Sequence, residues 1–137
     1  MTLIQDFAKW FKARRTTIEK WYSDSSGRFA FRVTVDGTPL VCAARSSATD
    51  GRTSIMKRVA GAAQSNDGLV CLRIGDDMYV FDPVTILGRG NPDDPRKDGR
   101  RKRGEEWVYF DVDFGVRFDD WVDGRKRPVE YHDVDAF

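Results

Sequence analysis

Residues 38–82 read TPLVCAARSSATDGRTSIMKRVAGAAQSNDGLVCLRIGDDMYVFD, and two apolar runs frame the stretch. Residues 39–44 form an unbroken run, and residues 69–74 are interrupted only by Arg73. Such runs, lacking polar alternation, fit strands covered on both faces, at the centre of a sheet. Between them Ile55, Met56, Val59, Ala60 and Ala63 recur at helical spacing. Thr53 or Ser54 is placed to cap that helix and Asn66-Asp67-Gly68 to stop it. Two buried strands joined by an amphipathic helix make a βαβ unit, with parallel strands and a right-handed crossover. Gly75-Asp76-Asp77 then turns the chain into residues 78–81, an antiparallel neighbour.

Upstream, Phe29, Phe31, Val33 and Val35 alternate with Arg28, Ala30, Arg32 and Thr34, the signature of a half-buried strand. Asp36-Gly37 is a two-residue hairpin signal that joins it to the central strand. Before it, Leu3, Ile4, Phe7, Trp10, Phe11, Ile18, Trp21 and Tyr22 fall largely on one helical face, expected to pack on the sheet. Capping-box spacing occurs at Thr2 with Gln5 and again at Thr16 with Glu19, so two shorter helices meeting near Arg15 also fit.

Downstream, residues 84–87 are apolar, and residues 88–106, GRGNPDDPRKDGRRKRGEE, change composition abruptly. Glycine, proline and dense mixed charge predict a flexible loop. Val108, Phe110, Val112 and Phe114 alternate with Trp107, Tyr109, Asp111 and Asp113, and residues 116–122 follow as a second strand, giving a C-terminal β-hairpin. Asp123-Gly124 is then a turn, Arg125-Lys126-Arg127 a basic patch and residues 129–137 an edge strand or arm. The expectation is an α+β fold: a mixed β-sheet of about five to seven strands with an N-terminal helix, one βαβ crossover helix and the C-terminal hairpin. Residues 1–137 are read as one domain, made of a core (1–87), a charged loop (88–106) and a hairpin with its tail (107–137), because two domains of half this length would each be too small for a good core.

Lys+Arg 23 against Asp+Glu 22 gives a net charge of +1, which excludes a global field that would drive the chain to nucleic acid or acidic lipid. Electrostatic function must be local. The two cysteines, Cys42 and Cys71, fall inside the central strands, where small buried thiols are ordinary occupants and a reducing compartment suffices. The first residues lack the apolar core of a signal peptide and no run approaches membrane-spanning length. A soluble cytoplasmic protein, or part of a particle assembled there, is expected, without membrane association.

Arg96, Lys97, Arg100, Arg101, Lys102 and Arg103 place six positive charges in the loop, and Trp107 and Tyr109 follow closely. Such an arm can track phosphates while a ring stacks on a base, helped by Arg125, Lys126 and Arg127. The competing reading is a solvated loop whose charges meet Asp93, Asp94, Asp98, Glu105 and Glu106. Residues 45–54, between a strand end and a helix N-terminus, offer Arg45, Ser46, Ser47, Arg52 and Thr53 to an anion, against the reading of a plain connecting loop without phosphate-binding glycine patterns. Asp111 and Asp113, with Asp119, Asp120 and Asp123 nearby, could take Mg²⁺ or Ca²⁺, but such alternation fits the solvated face of a sheet better. His132 with Asp133 and Asp135 has no nucleophile motif beside it, so no catalytic residue, metal or cofactor is assigned.

The order of helix, strands, apolar strand, helix, LVCLRI and MYVFDP resembles the core of restriction-endonuclease-like nucleases, and within them the archaeal Holliday-junction resolvases, over about residues 3–87. That resemblance implies an aspartate before the central strand and a Glu-x-Lys at its end, holding a divalent metal and assisting water. Here the strand ends Ala43-Ala44-Arg45, with alanine where the glutamate is expected and Arg45 where the lysine is expected. Neither Asp36, in the hairpin turn, nor Asp24 takes the aspartate's place. The resemblance therefore implies a fold and a binding surface without cleavage, because alanine cannot bind a hard cation. The leading expectation is a non-catalytic protein of nuclease-like topology contacting nucleic acid through its basic loop. The alternatives are a protein-interaction or assembly component of a larger particle, of viral or mobile-element type or a homo-oligomer, and a metal-dependent nuclease using Asp24 or Asp36.

Overall fold

The computed structural model describes residues 3–13, 22–23, 31–45, 48, 50–91 and 106–134. In chain order these form α1 (Leu3–Ala13), β1 (Tyr22–Ser23), β2 (Phe31–Val35), β3 (Thr38–Arg45), β4 (Arg52–Met56), α2 (Lys57–Ser65), β5 (Leu69–Ile74), β6 (Asp77–Phe81), α3 (Pro83–Arg89), β7 (Trp107–Asp111), β8 (Val116–Arg117) and α4 (Phe118–Val122). Single 3-10 turns lie at Val112–Phe114 and Tyr131–Asp133. Among the described residues no helix is long and apolar enough to cross a membrane.

Six strands form one mixed sheet in the order β1-β2-β3-β5-β6-β8, and β4 pairs with β7 in a separate antiparallel ribbon. Only β3 and β5 are parallel, running from Leu40 opposite Leu69 to Arg45 opposite Ile74. Parallel neighbours cannot be joined by a tight turn, and the connection here runs through β4 and α2. The antiparallel neighbours use short turns. Asp36 and Gly37 have φ of 50° and 83°, both positive as a type I′ hairpin requires.

The side-chain period of two along the strands divides the core between two faces. On one face Leu40, Cys42, Cys71, Met78 and Val80 meet Phe7 and Phe11 of α1 and Phe118 of α4. On the other, Val41, Ala43, Val70, Leu72 and Phe81 meet Val59, Ala60 and Ala63 of α2, Ile86 of α3, and Ile55, Val108 and Phe110 of the ribbon. Aromatic edges lock each side: Phe7 meets Phe31 at 5.1 Å between centroids and Phe81 meets Phe110 at 5.0 Å, both nearly perpendicular. Coverage on both faces is why β3 and β5 read as apolar runs.

Three expectations change. Residues 52–56 form strand β4 and not the start of the helix, because Ile55 pairs with Val108 and Thr53 with Phe110 across the ribbon. Helix α2 begins at Lys57; Met56 precedes it without a side-chain cap, and Lys57 N–H donates to the Glu106 carbonyl at 2.9 Å. It stops where expected, with Asp67 at φ 52° and Gly68 N–H bonded to the Ala63 carbonyl. Residues 83–89 form a helix, capped by the Asp82 carboxylate, which accepts from Val84 N–H, with Pro83 in the first turn.

The C-terminal β-hairpin is the third correction. β7 ends at Asp111, whose carboxylate accepts from Asp113 N–H and starts a 3-10 turn. β8 then pairs with β6, so β7 and β8 belong to different sheets, and residues 118–122 are helical. The chain passes so close to the sheet that a Cβ at Gly115 would lie 2.6 Å from Phe81 Cε1. The tail is no edge strand through residue 134: it crosses from α4 to α3, where the Thr85 hydroxyl donates to the Val129 carbonyl at 2.8 Å and Arg89 stacks on Tyr131 at 3.9 Å.

Candidate nucleic-acid interface

Arg45 is the last residue of β3, and the strand's alternation sends its side chain to the α2 face, as for Val41 and Ala43. Its guanidinium lies 5.1 Å from the centroid of the Trp107 ring. Trp107 opens β7 opposite Met56 and packs on the core cluster, and its buried Nε1 has no hydrogen-bond partner among the described residues. A guanidinium over an indole contributes about 0.5–1 kcal/mol at an exposed site and roughly 2 when desolvated. Both residues are half-buried. Arg45 belongs to the anion-loop group read from the sequence and Trp107 to the basic-loop group; the ribbon brings the two together.

The six basic residues Arg96, Lys97, Arg100, Arg101, Lys102 and Arg103 lie outside the described residues, as do Ser46, Ser47 and Asp24. The two ends of residues 92–105 are fastened to the ribbon. Asn91 exchanges two backbone hydrogen bonds with Tyr109, at 2.7 and 2.8 Å, and the Glu106 carbonyl accepts from Lys57 N–H. Lys57 Nζ also stands 3.5 Å from the Glu106 carboxylate. The chain therefore leaves and re-enters the described fold beside Trp107.

The remaining predicted residues are not gathered there. Arg52 is exposed opposite Asp111, and Thr53 is buried opposite Phe110 with its hydroxyl unpaired among the described residues. The helix N-terminus expected to complete the anion loop lies beyond β4, and Glu106 already accepts its first N–H. Arg125 is engaged by Asp123 at 2.9 Å and Asp120 at 3.7 Å, and Lys126 reaches Asp120 at 4.0 Å. This patch, with exposed Arg127, follows α4 on the α1 face, across the sheet from Trp107. Its charge is largely balanced locally.

Asp36 sits in the β2–β3 turn, at the opposite end of β3 from Arg45, and Ala43 is buried. No group of three or more His, Cys, Asp or Glu among the described residues is arranged to hold a metal. The Asp77 carboxylate is engaged as well: it accepts from the Arg117 guanidinium at 2.9 Å, and that bond and its charge raise the pKa of Arg117 above its ordinary value.

One contact was not foreseen. Arg73 interrupts the apolar run of β5 because it emerges on the α1 face at the same strand end as Arg45, 3.4 Å from Asp6, and donates to the Gly75 carbonyl at 3.0 Å. The lone charge in a buried run was its sequence signal. The C-terminal ends of the two parallel strands thus carry an arginine on each face, Arg45 over the Trp107 ring and Arg73 tying down α1. Compared with protein-family models, curated proteins and solved structures, the chain matches none.

Proposed function

We propose that this chain is a non-catalytic nucleic-acid-binding protein of nuclease-like topology, whose basic residues 96–103 follow phosphates while the Arg45–Trp107 pair receives a base. The carrying observation is that pair, 5.1 Å apart, at the point where the basic stretch joins the fold. Guanidinium and indole planes are surfaces on which an unpaired base stacks. The nuclease-like part of the reading is supported by the antiparallel β2–β3 pair followed by a helical crossover to parallel β5. The non-catalytic part rests on Ala43 at the position expected for a metal-binding glutamate.

The test is titration with labelled single-stranded, duplex and branched DNA and with RNA at two salt concentrations, with and without Mg²⁺, scoring retention and cleavage. Salt-sensitive retention without cleavage is expected. Replacing all six basic residues by Ser should abolish it and flatten the log-log salt slope by roughly 4 to 5. Unchanged retention in that variant would overturn the reading, and Mg²⁺-dependent cleavage would return the nuclease alternative. The balanced net charge of +1 favours the second reading, an assembly component. Concentration-dependent oligomers with no retention of nucleic acid at low salt would select it.

A further inference from the structure

The chain has two cysteines, and the β3–β5 ladder sets Cys42 directly opposite Cys71. Both thiols are free and fully buried. Adjacent strands run about 4.7–4.9 Å apart, inside the range of roughly 4.4–6.8 Å between Cα atoms that a disulfide spans. We propose that Cys42 and Cys71 are a latent dithiol couple covered by α1, convertible to a cross-strand disulfide by a small disulfide oxidant when α1 lifts.

The cover is specific. Phe7 and Phe11 of α1 share one buried cluster with the two cysteines, Phe31 and Phe118, and that cluster is apolar throughout. Burial pushes the Cys42 thiol well above its ordinary pKa, helped by the neighbouring Cys71 thiol, so the closed form is protonated and unreactive. Helix α1 has no part in the ladders of either sheet. It is held by its ring contacts and by the Asp6–Arg73 ion pair at 3.4 Å, so it can open without unzipping β3 from β5.

With α1 lifted, water reaches the pair and one thiol can lose its proton. The thiolate attacks oxidised glutathione: a protein–glutathione bond forms, the glutathione S–S bond breaks and one glutathione leaves as thiolate and is protonated. The second cysteine, deprotonated in turn, attacks the protein sulfur of that mixed disulfide and releases the second glutathione. The two protein thiols are oxidised to one disulfide, and glutathione disulfide is reduced to two thiols. The closed bond would pin the two strands whose ends carry Arg45 and Arg73.

The full chain is incubated with oxidised glutathione, quenched by alkylation and read by intact mass and non-reducing electrophoresis, with urea midpoints recorded in parallel. A monomer two hydrogens lighter that takes up no alkylating agent is expected. Asp6→Asn, which removes the ion pair without opening a cavity, should speed its formation several-fold with only a small fall in urea midpoint. Phe11→Leu should speed it on the order of tenfold. Cys71→Ser should stop at one glutathione adduct on Cys42. Stable adducts or intermolecular dimers in the parent chain would overturn the proposal, as would oxidation at the rate of global unfolding in all these proteins.

Discussion

The two faces of the six-stranded sheet are made from the same strands but carry different kinds of surface. On the α1 face the layer ends in rings and thiols, with the Asp6–Arg73 ion pair at its rim. On the α2 face a second sheet of two strands is laid over the core, with Arg52 opposite Asp111 at one end and Trp107 against Arg45 of β3 at the other. A helix packed directly on a sheet closes that face. In the ribbon, Ser54 and Met56 are buried as well as Thr53 and Ile55, so β4 is exposed only at Arg52. Under the proposed function, the α1 face conceals its layer and the Arg45–Trp107 end of the ribbon is where recognition is tested.

The largest expected effect tests whether the ribbon is core or ornament. Phe110 and Phe118 are both fully buried, one on each face. Phe110→Ala and Phe118→Ala should each lower unfolding free energy by about 3–5 kcal/mol in urea denaturation. If Phe110→Ala costs far less, the ribbon is peripheral and the contrast between the faces collapses.

Trp107 and Trp121 sharpen the same contrast through binding. Trp107→Ala should weaken retention of single-stranded nucleic acid by roughly 1–3 kcal/mol at fixed salt. Trp121→Ala, beside Phe118 on the closed face, should leave retention unchanged. Equal losses would remove the reason for placing recognition on the ribbon.

The smallest effect is a pH dependence of the closed face. Burial raises the Cys42 pKa in the folded chain above the ordinary 9.0 that the unfolded thiol keeps. Below that value both states hold the proton, and stability is unaffected. As pH rises above it the unfolded chain loses the proton first, so stability falls towards the folded pKa, by at most about 1.4 kcal/mol per pH unit. Comparing urea midpoints at about pH 8 and about pH 10, Cys42→Ala should lose less stability over that interval than the parent chain.

What could be read from the sequence was local. Phe31, Val33 and Val35, the Asp36-Gly37 turn, the runs at β3 and β5 and the stop at Asp67-Gly68 each announce themselves within a few residues. β4 did not. Thr53 and Ser54 are good caps, and Ile55 and Met56 are in phase with Val59 and Ala63, so the segment reads as helix until its partner far along the chain is known. The alternation after Trp107 is genuine as far as Asp111, where a carboxylate turns the backbone and ends the strand. At the candidate site Arg45 and Trp107 were each visible as residues of interest, but their meeting depends on that same long-range pairing. Asp82-Pro83, by contrast, was a legible helix start masked by the apolar residues behind it.

The fastenings at Asn91 and Glu106 make the interval between them a cassette. Any sequence of suitable length could be spliced between those two residues while β7, α2 and α3 keep the bonds that define them. By loop-closure entropy, doubling the length of a connecting segment costs only about 0.6 kcal/mol. Changes of charge and length between those two residues would then meet little constraint from the bonds that hold the ends of the interval.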